Sequence, residues 1–162
     1  MILYYYQFSP ITLQITIDYQ YDDFFITEID FVSFSKKNLL RRRDAKLRLL
    51  INKIENYLDA YFYHRKIIAP PNFKLKGTAF QRKIWKRLIL IPFGETTTYQ
   101  DLALQSGYNI HYARAVGNVC NKNPIPIIIP CHRVIGKNKK LIGFSGGLEI
   151  KKWLLEHEGC KI

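Results

Sequence analysis

Cysteine is absent from the first 119 residues, and the chain of 162 has only Cys120, Cys131 and Cys160. No Cys-x-x-Cys pair occurs, and an odd set of three thiols makes no disulfide framework, which fits a reducing compartment. An N-terminal half without cysteine excludes a thiolate zinc site there, and no metal is expected. Lysine and arginine are missing from residues 1–35, which hold five acids, Asp18, Asp22, Asp23, Glu28 and Asp30. The whole basic excess, a formal net charge of +12, therefore lies further along. No apolar run approaches the roughly 18 residues that a bilayer span requires, and the opening Met-Ile-Leu-Tyr-Tyr-Tyr has no basic leader. The expectation is a soluble cytoplasmic protein with no membrane partner. The positive charge points to nucleic acid, with a membrane surface or plain solubility as the rival reading.

What is present divides into two halves. The length allows one ordinary domain or two small ones, and 48% hydrophobic residues suffice for a packed core. Residues 2–8 and 11–17 are rich in Tyr, Phe, Ile and Thr and flank Ser9-Pro10, which predicts two strands and a tight connection. Ile11, Leu13, Ile15 and Ile17 alternate with Thr12, Gln14 and Thr16, so one face is expected buried and the other wet. Residues 24–34 are expected to add a third strand after an Asp22-Asp23 turn. The acids there read as turn and surface chemistry in preference to a metal site.

From Asn38 the period becomes helical: Leu39, Leu40, Leu47, Leu50, Ile51, Ile54 and Leu58 line one stripe. Lys36, Lys37, Arg41, Arg42, Arg43, Lys46, Arg48 and Lys53 occupy the other faces, either as a solvated surface or as one facing phosphate. Pro70-Pro71 marks a stiff break, and the domain division is placed near residue 72. Beyond it, Thr78-x-x-Gln81 is a capping box, with Phe80, Ile84, Trp85 and Leu88 available for burial. Short helices over about 99–105 and 111–121, separated by Gly107, suggest a helix-turn-helix. A last helix is expected over 148–158, ended by Gly159.

The reactive candidates fall in Ile127-Ile128-Ile129-Pro130-Cys131-His132-Arg133-Val134-Ile135, an apolar run interrupted by a thiol, an imidazole and a guanidinium. A thiol beside an imidazole is a candidate activated nucleophile. A buried structural Cys beside a satisfied core His is the alternative, and the pair alone does not choose.

The wider pattern adds more. Pro130-Cys131-His132-Arg133-Val134 resembles the active-site signature of the O6-alkylguanine-DNA alkyltransferases, also called methylated-DNA–protein-cysteine methyltransferases. Further matches follow in that family's order: Gly77-Thr78-x-Phe80-Gln81, Trp85, Ile91-Pro92-x-Gly94, Tyr99, Ala113-Arg114-Ala115-Val116-Gly117, Asn123-Pro124, Ser145-Gly146-Gly147 and Glu158-Gly159. The resemblance implies an α/β (α+β) chain. A small N-terminal sheet-and-helix domain, residues 1–72, precedes a mostly helical catalytic and DNA-binding domain, residues 73–162.

It also implies the activity: single-turnover repair of O6-alkylguanine, chiefly O6-methylguanine, in double-stranded DNA. No cofactor and no obligate protein partner are expected, because the protein itself accepts the alkyl group. By the same resemblance Cys131 is the nucleophile, His132 its base and Glu158 the acid that orients His132. Asn123 is a scaffold for the active-site turn, and Tyr99 positions the flipped base and donates toward guanine N3. Arg114 enters the base stack from the minor groove. Cys120 and Arg133 are grouped with the substrate- and DNA-binding residues, and Arg133 is also expected either to support the site through an ion pair or to meet a carboxylate on the domain surface. Phe144 forms an apolar wall, Ser145 lies near O6, Gly146 permits close backbone approach and Lys151 braces the substrate loop. Many relatives have Tyr where this chain has Phe144, so no phenolic hydroxyl is available there.

Overall fold

The structure is a computed structural model that describes residues 1–33, 44–64 and 69–162. The chain forms two compact units, Met1–Leu75 and Lys76–Ile162.

In the first unit, three antiparallel strands run in the order β1 (Ile2–Phe8), β2 (Ile11–Gln20), β3 (Asp23–Phe31). Tyr4 pairs with Ile15 across β1 and β2, and Ile15 with Ile29 across β2 and β3. The period-2 pattern of β2 works as its sequence predicts: Ile11, Leu13, Ile15 and Ile17 are buried. Thr16 is buried as well, next to a register shift in the pairing with β3 between Thr16 and Ile17. Helix α1 (Ala45–Phe62) starts at Asp44, whose carboxylate accepts from the backbone N–H groups of Lys46 and Leu47. Its buried residues include Leu47, Leu50, Ile51, Ile54 and Leu58, each contributing roughly 1.5–3 kcal/mol of burial. Tyr6 of β1 donates to Asp59 of α1 at 2.6 Å, so sheet and helix are joined by polar as well as apolar contacts.

Leu39, Leu40 and the basic residues Lys36, Lys37, Arg41, Arg42 and Arg43, expected on this helix, lie outside the described residues. After Pro70-Pro71 the chain has not yet left the first unit. Ile26 donates to Asn72 and accepts from Lys74, which lays residues 72–74 along β3.

In the second unit, α2 (Ala79–Leu88) begins with the predicted reciprocal capping box between Thr78 and Gln81. Trp85 is buried, and its indole N–H donates to the Val119 carbonyl at 3.1 Å, tying α2 to α4 (Ala113–Asn121). Gly77 makes this possible from below, since a Cβ there would sit 2.7 Å from the Trp85 ring. Strand β4 (Thr97–Thr98) leads directly into α3 (Tyr99–Gln105), capped by Thr98. Gly107, at φ +78°, turns the chain after α3 in a conformation that costs most other residues energy. A 3₁₀ turn, Ile110–Tyr112, then feeds α4, completing a helix-turn-helix. Strand β5 (Val134–Ile135) pairs in parallel with β4, and α5 (Leu148–His157) closes the unit. Among the described residues, no helix is long and apolar enough to cross a membrane.

Candidate active site

The parallel pair β4–β5 sets the geometry. Thr97 is registered with Val134 and Thr98 with Ile135. Because the pair is parallel, Tyr99 leaves β4 at one end, and Cys131, His132 and Arg133 enter β5 at the other, where Thr96 enters β4. These three form a 3₁₀ turn, and all are buried. A turn, not an extended strand, carries the Cys-His pair, so the strict opposition of neighbouring side chains on a strand does not apply.

The turn is held from both sides. Cys131 N–H donates to Ile129 O at 2.8 Å, and the Asn123 side-chain amide donates to the same carbonyl at 2.7 Å and to Cys131 Sγ at 3.0 Å. The Asn123 side-chain oxygen accepts from Ile125 N–H. Upstream, Ile127 sits at φ +73°, a costly conformation for a β-branched residue. Burial pushes the Cys131 thiol up to about 11, although the Asn123 hydrogen bond and the Lys151 charge oppose the rise. The thiol is thus protonated at neutral pH.

His132 Nε2 and Glu158 Oε1 are 2.6 Å apart, both fully buried. A carboxylate accepts, so Nε2 carries the proton in this pair. Burial lowers the His132 pKa against the opposing pull of Glu158, favouring a neutral ring. Glu158 also accepts from Arg133 Nε at 2.8 Å, Arg133 Nη2 at 3.1 Å and Gly94 N–H at 3.1 Å. Burial alone would raise its pKa. The His132 and Arg133 hydrogen bonds and charges overcome that and hold the carboxyl well below its ordinary range.

Arg133, expected among the DNA-binding residues or in an ion pair that supports the site, makes the ion pair. Its guanidinium is turned inward onto Glu158 and onto the Ile91 carbonyl at 2.6 Å, leaving 7% of the residue exposed. Cys120, grouped with the same residues, is buried in α4, where burial raises its thiol pKa.

Lys151 is fully buried in α5. Its ammonium donates to Val134 O at 2.6 Å and Ile142 O at 2.8 Å, with Gly143 O at 3.5 Å and Tyr99 Oη at 3.4 Å. Burial pushes its pKa down to about 8. Tyr99 also donates to Ile142 O, at 2.9 Å, so one carbonyl joins α3, α5 and the loop before α5. Burial raises the phenol's pKa, with smaller contributions from Cys120 and Cys131, and keeps it a proton donor.

Beside these groups opens a cavity of about 330 Å³ lined by Tyr99, Ala113, Arg114, Gly117, Ile142 and Gly143, among others. Arg114 is exposed on α4 at its rim. Phe144 stands edge-on to His132 at 6.5 Å between ring centroids. Ser145 and Gly146 form the following turn, closed by Gly147 N–H to Phe144 O at 3.0 Å. Ser145 is exposed. Sequence reasoning did not identify Glu158 as the partner of Arg133, and it missed the Gly94 donor. Ile91-Pro92-x-Gly94 signalled a turn but not what its backbone would hold. Among the described residues, no group of three or more His, Cys, Asp or Glu is arranged to hold a metal ion.

A helix-turn-helix beside a buried thiol with its own imidazole and carboxylate defines a DNA-binding protein built for cysteine chemistry. Comparison with known proteins narrows that class. Residues 79–160 match the family described as 6-O-methylguanine DNA methyltransferase, DNA binding domain. A methylated-DNA–protein-cysteine methyltransferase of Methanosarcina barkeri is 39% identical over 133 residues, 82% of this chain and 84% of the relative. A probable methylated-DNA–protein-cysteine methyltransferase of Acanthamoeba polyphaga mimivirus is 56% identical over 87 residues. That match spans 54% of this chain and 57% of the viral relative. The crystal structure of Mycobacterium tuberculosis OGT in complex with DNA superposes with a TM-score of 0.71 at 34% identity, covering 91% of this chain and 86% of that one. The chain belongs to the methylated-DNA–protein-cysteine methyltransferase family.

Proposed function

We propose that the chain repairs O6-alkylguanine, chiefly O6-methylguanine, in double-stranded DNA by one irreversible transfer of the alkyl group to Cys131. The observation that carries this reading is a thiol fixed by Asn123 at 3.0 Å in the same turn as a His132–Glu158 pair at 2.6 Å. The family match and the cavity beneath Arg114 support it.

The lesion's O6 substituent is out of reach of a buried thiol while the base is stacked. The nucleotide is extruded into the cavity at a cost of roughly a few kcal/mol, less for a damaged pair. Arg114 fills the vacated space and offsets part of that cost. With His132 Nε2 held by Glu158, Nδ1 is the atom that takes the thiol proton. Sulfur then attacks the alkyl carbon in line, the S–C bond forms as the C–O6 bond breaks, and the electron pair leaves with guanine. A proton delivered to the base restores a neutral guanine. Tyr99 is the donor on the N3 side, and to serve it must release the Ile142 carbonyl. Phe144 walls the pocket, and Ser145 and the Gly146 backbone approach O6 once the base is bound. The thioether is stable to water, so each molecule acts once. Because the acceptor must remain a free thiol, we place the protein in the reducing cytoplasm.

The test is incubation with duplex DNA carrying a labelled O6-methylguanine. One methyl equivalent per protein is expected, found by peptide mass spectrometry on Cys131 and lost in Cys131→Ser. Tight binding without a covalent label would identify a lesion-recognition module instead. Repeated turnover would identify a cysteine hydrolase.

A further inference from the structure

An aromatic and basic ribbon on the second unit leads toward Arg114 through residues not yet assigned a role. Phe80 of α2 meets Tyr108 edge-on at 5.0 Å, and Tyr108 stacks on Tyr112 at 4.9 Å with planes 29° apart. The Lys83 ammonium lies 4.6 Å from the centre of the Tyr108 ring. Tyr112 immediately precedes α4, two residues before Arg114. Lys83, Tyr108 and Tyr112 therefore follow one another in contact from α2 across the helix-turn-helix loop to the start of α4, and Arg114 lies two residues further on, in the cavity lining.

Core packing alone does not account for its outer end. Tyr112 keeps 42% of its surface exposed, and Ile110 of the same turn keeps 45%. The ring is nonetheless held in place by Tyr108, which is itself clamped by Phe80 and Lys83. A rigid exposed ring loses little side-chain freedom on binding, and such rings between basic residues suit a sugar-phosphate strand: apolar sugar faces against the ring, phosphates against the charges. The cavity is lined by Ala113 and Arg114 of the first turn of α4, and Tyr112 immediately precedes them.

We infer that Tyr112, braced by Tyr108, is a specificity-determining residue that packs against the DNA backbone beside the extruded nucleotide, while Lys83 meets a phosphate of the same strand. This rests on the DNA-repair reading above and goes beyond it, since it assigns to these residues the preference for duplex DNA over a free modified base.

The experiment compares single-turnover rates at subsaturating substrate on O6-methylguanine duplex and on free O6-benzylguanine. For Tyr112→Ala, the ratio of duplex rate to free-base rate is expected to fall by roughly fivefold or more, the scale of a lost ring contact to nucleic acid. Tyr112→Phe is expected to keep the wild-type ratio, because the ring face and not the hydroxyl makes the contact. An equal loss on both substrates for Tyr112→Ala would overturn the inference and leave the ring a structural role. For Lys83→Gln, the slope of log affinity for duplex against log salt is expected to become shallower by about 0.9, one phosphate contact. An unchanged slope would overturn the phosphate contact. Failure of the wild type to accept any methyl group from the duplex would instead refute the repair function itself.

Discussion

Arg133 grips Glu158 at two points, Nε to Oε2 at 2.8 Å and Nη2 to Oε1 at 3.1 Å, in a buried ion pair. The carboxylate that steadies His132 is thereby charge-balanced from the opposite side. A buried pair adds little net stability over an apolar replacement of both members, but removing one member strands the other. Arg133→Met is accordingly expected to cost roughly 3–5 kcal/mol in urea unfolding. A midpoint and slope equal to wild type would show that Glu158 does not need its partner.

The same cluster predicts an acid limb. Glu158 has its pKa depressed in the folded state from an ordinary value near 4.5. The unfolded chain therefore binds more protons as the pH drops below that value. The stability contributed by this depression is present above about pH 4.5 and is lost as pH falls toward the folded value. Glu158→Gln should be less stable than wild type at neutral pH, and its stability should change less between pH 5 and 3. Parallel curves for the two proteins in that window would assign the acid limb to other carboxylates.

Legibility from sequence tracked how local the signal was. The β2 alternation, the Thr78–Gln81 box and the Thr98 cap are satisfied within a few residues, so the chain announces them. The second unit's helix-turn-helix was legible in part, because Gly107 marks the turn. What could not be read was the destination of Arg133. Its partners Ile91 and Glu158 are 42 and 25 residues away, so an ion pair could be expected but its carboxylate could not be named. The resemblance supplied Asn123 as a scaffold, but not that its amide reaches the sulfur itself. The parallel pairing of two-residue strands β4 and β5 left no periodic trace.

Lys151 and Cys131 make a prediction about thiol reactivity. At neutral pH the lysine is charged, and it opposes the burial that pushes the thiol up to about 11. Its own pKa is held down to about 8, also by burial. Lys151→Met should slow iodoacetamide alkylation of Cys131, followed by peptide mass spectrometry. The wild-type advantage should be largest below pH 8 and shrink as Lys151 loses its proton above it. An advantage that does not vary with pH would mean that Lys151 acts only by holding the Val134 and Ile142 carbonyls.

Arg114 should separate DNA capture from chemistry. It is exposed on α4 in the cavity lining, whereas the His132–Glu158 pair is buried. Arg114→Ala is expected to slow repair of the O6-methylguanine duplex far more than reaction with free O6-benzylguanine, which needs no unstacking. Equal losses in the two single-turnover rates would show that Arg114 supports the pocket instead.

Phe144 offers the sharpest division between shape and proton donation. Its ring stands at 83° to His132 with centroids 6.5 Å apart, and its carbonyl accepts from Gly147 N–H to close the substrate-loop turn. The side chain brings an apolar edge and no hydroxyl. The polar contacts available on the base side come from Tyr99, whose phenol burial keeps protonated, and from the Ser145–Gly146 turn. Phe144→Tyr should therefore change the saturated single-turnover rate on O6-methylguanine duplex only modestly. Phe144→Ala should slow it more strongly, because removing the ring opens the wall that positions the base and faces His132. Folding is followed separately by thermal unfolding, and reaction with free O6-benzylguanine shows whether the loss lies in the pocket itself. An alanine variant as fast as wild type would refute the wall. A tyrosine variant faster by orders of magnitude would show that a hydroxyl at this position is a catalytic group the chain lacks, and that Tyr99 and Ser145 do not replace it.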